Sequence, residues 1–213
     1  MFAHWRGDIV WEGLCLGKHT RHIRKSYILG FILFLVSESI FFFAFFWAFV
    51  YNAVDPKAEL NGWPPKGIEI IWPWGIPAVS RGLLVTSRVS ANVSQHSMRA
   101  GLLGSASVAL VLTLLAGIIF CYIQGVEYWN AGFRIRDGVY GRSFFCLTGL
   151  HFIHVFLGIV SLTVTLVRLL SSHFSVGHHL FFTFRIWYWH YVDVIWIIPW
   201  VTVYVWPYTV DLC

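Results

Sequence analysis

Trp187-Tyr188-Trp189-His190-Tyr191-Val192-Asp193-Val194-Ile195-Trp196 places an imidazole and a carboxylate inside a run that is otherwise apolar and aromatic. The run continues on both sides, from Leu180 to Trp206, which is long enough to cross a bilayer. Ionisable groups in such a segment are expensive, so they face a protein interior and find partners there. Working outward, the whole chain has the composition of a membrane protein. Of its residues 58% are apolar and 12% charged, against roughly 25% charged in a soluble domain. Its mean hydropathy is +0.68.

Three further uninterrupted apolar runs stand out: Tyr27 to Tyr51, Leu102 to Gln124 and Ser143 to Val167. Pro77 to Ser97 is helix-length, but Arg81, Arg88, Asn92, Gln95 and a row of serines give it the hydropathy of a loop. The segment from Asp55 to Pro77, with Asn61-Gly62-Trp63-Pro64-Pro65 at its centre, cannot continue a helix and reads as a loop at the membrane surface. Gly125 to Arg142 reads as a second loop, with Asp137-Gly138 and Tyr140-Gly141 as turn formers.

Charge orients the chain. With the N-terminal segment inside and Pro77 to Ser97 crossing, Arg6, Lys18, Arg21, Arg24, Lys25, Arg99, Arg168 and Arg185 lie inside. Lys57, Lys66, Arg134, Arg136 and Arg142 lie outside, interleaved with the acids Asp55, Glu59, Glu69, Glu127 and Asp137. The excess of inside positives fits the rule for cytoplasmic-type loops. The net charge of +5 therefore reads as topology and contact with anionic lipid, with no call for nucleic acid. Cys15, Cys121, Cys146 and Cys213 are scattered and form neither a disulfide framework nor a zinc motif. The first 25 residues carry Asp8 and Glu12 and read as mature protein instead of a transit peptide.

Several groups are candidates for chemistry. Glu38, between Ser37 and Ser39 in the first span, is either a proton relay or a neutral acid hydrogen-bonded to a neighbouring helix. His151 and His154 share a helix face and could address a metal or haem, although helix-to-helix hydrogen bonding is the alternative. The adjacent His178-His179 is a poorer chelator, because neighbours on a helix diverge. His190 and Asp193 are three apart, so one can orient the other, and Arg185 can complete a buried polar cluster with them. Pro199 removes a backbone bond from the last span. Arg81 and Arg88 share a face, which suggests a partner subunit or lipid headgroups.

Laid in order, these motifs resemble one family. Trp187 to Trp196 is similar to its WYWHFVDVVW helix, and Ser37 to Phe49 to its SEVFFFAGFFWAF helix. Glu59 to Ile68 resembles its ELGG-WPPTGI loop, while Asp137 to Gly141 and Thr148 to Val155 resemble DGVYG and TGFHGLHV. The family is subunit III of the haem-copper oxidases, that is, of cytochrome c oxidase. The resemblance implies an all-α, polytopic transmembrane helix bundle, with five helices corresponding to helices three to seven of the subunit III fold. Its spans would be approximately 27–51, 77–98, 102–124, 143–167 and 180–206 in one membrane domain, so Pro77 to Ser97 becomes a spanning helix.

The resemblance further implies a non-catalytic core subunit with no catalytic residue and no metal of its own. Haem and copper would sit in partner subunits I and II, and cytochrome c would be the donor to the complex. Such a subunit stabilises the catalytic one, binds structural phospholipid and supports oxygen access and proton uptake. Glu38 matches the family's intramembrane carboxylate and Arg168 a basic residue at lipid headgroups, while His151, His154, Arg185, His190 and Asp193 are left as a structural polar cluster. The expected location is the mitochondrial inner membrane, with the N-terminus in the matrix. Asp8 to Gly13 resembles the loop after the family's second helix, so a separate chain is expected to supply the first two helices. Phe152 stands where the family has a glycine, and Arg6 is displaced from its basic position. A homologous quinol oxidase subunit, a self-contained haem enzyme using His151, His154 or His190, and a transporter are the alternatives. Turnover with reduced cytochrome c, a haem band in the isolated chain, and solute flux would respectively discriminate them.

Overall fold

A computed structural model describes residues 20–54, 62–65 and 67–211. Arg6, the Asp8 to Gly13 motif, Lys18, Cys15 and Cys213 lie outside the described residues, as do Asp55, Lys57, Glu59, Asn61 and Lys66 of the first loop. Among the described residues five long helices follow one another: α1 (Arg21–Val54), α2 (Ile76–Arg99), α3 (Leu103–Asn130), α4 (Gly138–Leu170) and α5 (Leu180–Pro199). The last continues through a π-helix, Trp200–Val205, into a short α6, Trp206–Asp211. α1, α3 and α4 are long and apolar enough to cross a membrane by themselves.

The helix limits follow from local chemistry. α1 has no proline over its 34 residues, and the Asp55-Pro56 that follows it in the sequence is unfavourable for helix. α2 starts behind Gly75 with Pro77 in its first turn, where the missing N–H has no partner to lose. Gly101 adopts φ 77°, so α2 turns back on α3 through three residues. α4 begins at Asp137-Gly138: the Arg134 amide donates to Asp137 Oδ2 at 2.7 Å, and Gly138 takes φ 76°. One turn later Gly141 lies against the Arg134 carbonyl, with no room for a Cβ. Gly141→Ala is thus expected to push the 131–137 loop off the helix and destabilise the bundle by about 1 kcal/mol. A thermal midpoint equal to wild type would contradict that contact.

Pro199 has no N–H for the carbonyl one turn back, and the hydrogen-bond register changes to the π pattern immediately after it. The backbone bond that Pro199 removes is therefore accommodated by a change of helix type, with the helical path continuing through it. Tyr140 on α4 donates its hydroxyl to the Val203 carbonyl within this segment at 3.3 Å.

α2 and α3 form the most extensive helix pair, and α5 packs on α2, α4 and the π-helix. The serines that give α2 its loop-like hydropathy are consumed internally. Ser80 and Ser87 bond carbonyls three residues back, Ser94 donates to the Ala106 carbonyl at 2.8 Å, and Ser90 meets Thr113 at 2.7 Å. Such satisfied polar groups let two backbones approach closely without exposing donors to lipid. The core is aromatic: Trp189, Trp196, Tyr140, Phe120, Phe144 and Tyr204 are almost wholly buried. Trp189 wedges between Gly117 on α3 and Gly158 on α4, where an added Cβ would lie 2.7 Å and 3.0 Å from its ring. α1, by contrast, buries only Phe42, Phe49 and Ala53 among its residues and turns a long apolar face outward.

Candidate functional site

Glu38 lies half-way along α1, on the stripe that touches α4 and α5. Its Oε2 is 2.8 Å from His154 Nε2. The other ring nitrogen of His154, Nδ1, is 2.8 Å from the Leu150 carbonyl one turn back on α4. A carbonyl only accepts, so Nδ1 carries a hydrogen and donates to Leu150. One further proton is then shared between Nε2 and the Glu38 carboxyl. A neutral acid donating to a neutral imidazole and an imidazolium donating to a carboxylate are both compatible with this geometry, and both leave the pair with no net charge. Phe42 stacks obliquely on His154 at 4.8 Å, and the Tyr188 hydroxyl reaches the His154 carbonyl at 3.5 Å. Ser39 and Tyr191 place their hydroxyls 3.3 Å apart, joining α1 to α5 beside the pair. A cavity of about 320 Å³ opens next to it, lined by Ser39, Phe42, Phe43, Phe46, Ile195 and Pro199 among others, and it is almost entirely apolar.

His151, one turn earlier on α4, serves elsewhere. It is fully buried, its Nε2 lies 3.1 Å from the Val192 carbonyl, and its ring packs on Trp196 at 4.4 Å and Phe120 at 5.7 Å. The two imidazoles of α4 thus address different neighbours, and His154 has both nitrogens engaged. Among the described residues no three His, Cys, Asp or Glu side chains gather as a metal-binding group.

The remaining members of the expected polar cluster are divided between partners. His190 and Asp193 do not bond each other: His190 Nε2 lies 2.9 Å from Asn92 Oδ1, and Asp193 pairs with Arg88 at 3.5 Å, both on α2. Arg185 donates to Thr165 on α4 at 3.0 Å. The three-residue spacing does put His190 and Asp193 on one helix face, but that face meets α2, whose polar groups sit closer to each than they do to one another. Trp189, next to His190, donates its indole N–H to Ser87 at 3.0 Å. Arg81 lies over the Trp200 ring at 4.2 Å, and Arg168, in the last turn of α4, over Phe174 at 4.8 Å.

A second polar group lies between α3 and the π-helix. Glu127 was counted with the loop acids, but α3 runs on past Gln124 to Asn130 and buries it to 4% exposure. The Tyr204 hydroxyl donates to Glu127 Oε1, Gln124 approaches the same oxygen at 3.4 Å, and Tyr128 donates to Thr148 at 2.7 Å nearby. The Gln124-x-x-Glu127 spacing, which puts both on one helix face, was the signal available.

Two comparisons bear on this architecture. A family model described as "Cytochrome c oxidase subunit III" matches residues 1–208. Proteins named cytochrome c oxidase subunit 3 from Prototheca wickerhamii and Salmo salar are each 42% identical over 207 residues, covering 97% of this chain and 79% of theirs. The Arabidopsis thaliana protein of the same name matches at 42% over 207 residues, 97% of this chain and 78% of its own. An all-α transmembrane bundle whose intramembrane polar groups are engaged between helices, matched along nearly its whole length in this way, belongs to the cytochrome c oxidase subunit III family, a membrane subunit of that oxidase complex.

Proposed function

We propose that this chain is a non-catalytic core subunit that stabilises the catalytic part of the oxidase. The observation that carries this reading is the Glu38–His154 bond at 2.8 Å, which spends the carboxyl of α1 on holding α4. Subunits I and II are the proposed neighbours and carry the haem and copper, with cytochrome c as donor to the complex. α2 and the α5–π–α6 rod cross the bilayer with α1, α3 and α4, giving five spans. The location is the mitochondrial inner membrane, with the N-terminus in the matrix. Positive charge at Arg21, Arg24, Lys25, Arg99, Arg168 and Arg185 supports that orientation.

Phospholipid binding is proposed at two places. One is Arg168, the basic residue in the last turn of α4, which would meet a headgroup, and the other is the apolar cavity beside Glu38, which would take an acyl chain. Support for oxygen access and for proton uptake by the catalytic subunit belongs to the same reading, since apolar space favours a nonpolar gas. Arg168→Ala is expected to reduce anionic phospholipid retained in the purified complex roughly fivefold, the equivalent of about 1 kcal/mol per basic residue at a membrane surface. Unchanged lipid content by mass spectrometry would contradict the role given to Arg168.

Purification through a tag on this chain, with mass spectrometry of co-purifying polypeptides and an optical spectrum, tests the whole reading. Haem together with subunits I and II is the expected result. The chain alone, or the chain with a haem of its own, would overturn it.

A further inference from the structure

We propose that the outer face of α2 receives a membrane-spanning helix from another subunit, with an aspartate or glutamate at the depth of Arg88. The inference rests on the reading that α2 crosses the bilayer.

α2 is 24 residues long, about 36 Å at roughly 1.5 Å per residue, which matches a hydrocarbon core of about 30 Å. Arg88 falls at its midpoint, where snorkelling to either surface is hardest. Its side chain is 43% exposed. Its carboxylate partner, Asp193, is 5% exposed and sits on the inner side, against a single guanidinium nitrogen at 3.5 Å. A guanidinium carries five N–H donors in a planar fork, so the outward half of Arg88 is unmatched by this contact. One helical face also holds Arg81, spaced seven residues away and stacked on Trp200. Among the described residues, two cations therefore share one carboxylate along this seam. Acyl chains offer neither charge nor acceptors, so the positive charge left over among the described residues calls for a further acid, which we assign to a neighbouring subunit.

The surface around Arg88 is shaped for a helix. Val85 and Val89 are exposed, and a Cβ at Gly82 would meet nothing within 4 Å. Small side chains on this line let a second backbone come close, as helix pairs in membranes require in the absence of a hydrophobic driving force. Asn92 is also exposed and keeps donor capacity beyond its contact with His190. A second copy of this chain does not fit, because facing α2 helices would bring Arg81 and Arg88 against their counterparts.

The test places a photoreactive amino acid at Val89 in the intact oxidase in its native membrane, and maps the adducts by mass spectrometry. The expected adduct is with a spanning segment of another subunit that has an Asp or Glu within one turn of the linked residue. Adducts with lipid alone, or with a second copy of this chain, would overturn the proposal. Two variants separate the partner's contact from the internal one. Asp193→Asn frees Arg88 for the partner, so the adduct should persist or increase. Asp193→Asn with Arg88→Leu removes the internal pair without stranding a buried carboxylate, and the adduct should fall about tenfold. Equal yields from both variants would show that Arg88 serves Asp193 only. Val89→Cys, treated with a membrane-impermeant maleimide, checks the spanning reading itself: no labelling above the unsubstituted chain is expected, and labelling would show that α2 faces water and that both inferences fail.

Discussion

Trp189→Ala is expected to destabilise the bundle by about 3–5 kcal/mol, the range for emptying a well-packed aromatic site. The side chain is 1% exposed and touches three helices at once. Its ring is held between Gly117 and Gly158, while its N–H donates to Ser87 on α2. Within lipid, helix association draws on close van der Waals contact and interhelical hydrogen bonds, and Trp189 supplies both. The loss should appear as a lower thermal midpoint of the detergent-solubilised complex and as dissociation of this chain from it. The reverse perturbation supplies a second test. Gly117→Ala puts a methyl group where the ring now sits and is expected to cost about 1–3 kcal/mol. Combined with Trp189→Phe, whose smaller ring leaves space, the same methyl should cost less than it does alone, a non-additivity expected of residues in contact. Additive effects would mean that the ring and the glycine do not press on each other.

This contact illustrates what the linear sequence can and cannot convey. Four of the five long helices were legible in order, because α1, α3, α4 and α5 each contain an apolar run long enough to span and turn-forming stretches lie between most of them. α2 was legible only through the family resemblance: its hydropathy is that of a loop, since serines that bond their own helix or α3 look identical in sequence to serines that bond water. The polar residues themselves were also visible, as charges in apolar runs always are. Their partners were not. His190 and Asp193 suggested each other by spacing, yet Asn92 and Arg88, about a hundred residues earlier in the chain, take them. Glu127 was misplaced for the opposite reason: a single acid near the end of an apolar run looks like the start of a loop, and only the arrival of Tyr204 from the other end of the chain keeps it inside. Periodicity tells which residues share a face, whereas the neighbour that face meets is a property of the tertiary fold.

His154→Leu is expected to destabilise the chain by about 1–3 kcal/mol, because it leaves the Glu38 carboxyl without its hydrogen-bond partner in a setting poor in water. Glu38→Gln should behave very differently. A glutamine amide can still donate to His154 Nε2, so α1 stays tied to α4 through an interaction of the same geometry, while Nδ1–H remains on Leu150. What the amide cannot do is release a proton. If the pair is a fastening, the Glu38→Gln oxidase should assemble normally, and its initial turnover with reduced cytochrome c should stay within about twofold of wild type, under ~0.5 kcal/mol of barrier. If Glu38 passes its proton onward in each cycle, initial turnover should fall sharply while assembly and haem content stay intact. The two variants together separate the cases, since a fastening predicts that His154→Leu is the more harmful and a relay predicts that Glu38→Gln is. The side chain of Glu38 is 23% exposed and that of His154 9%, so the pair lies at the edge of the bundle beside the apolar cavity instead of on an internal chain of acceptors. That position favours the fastening, with His154→Leu the variant that should lose α1 from the bundle.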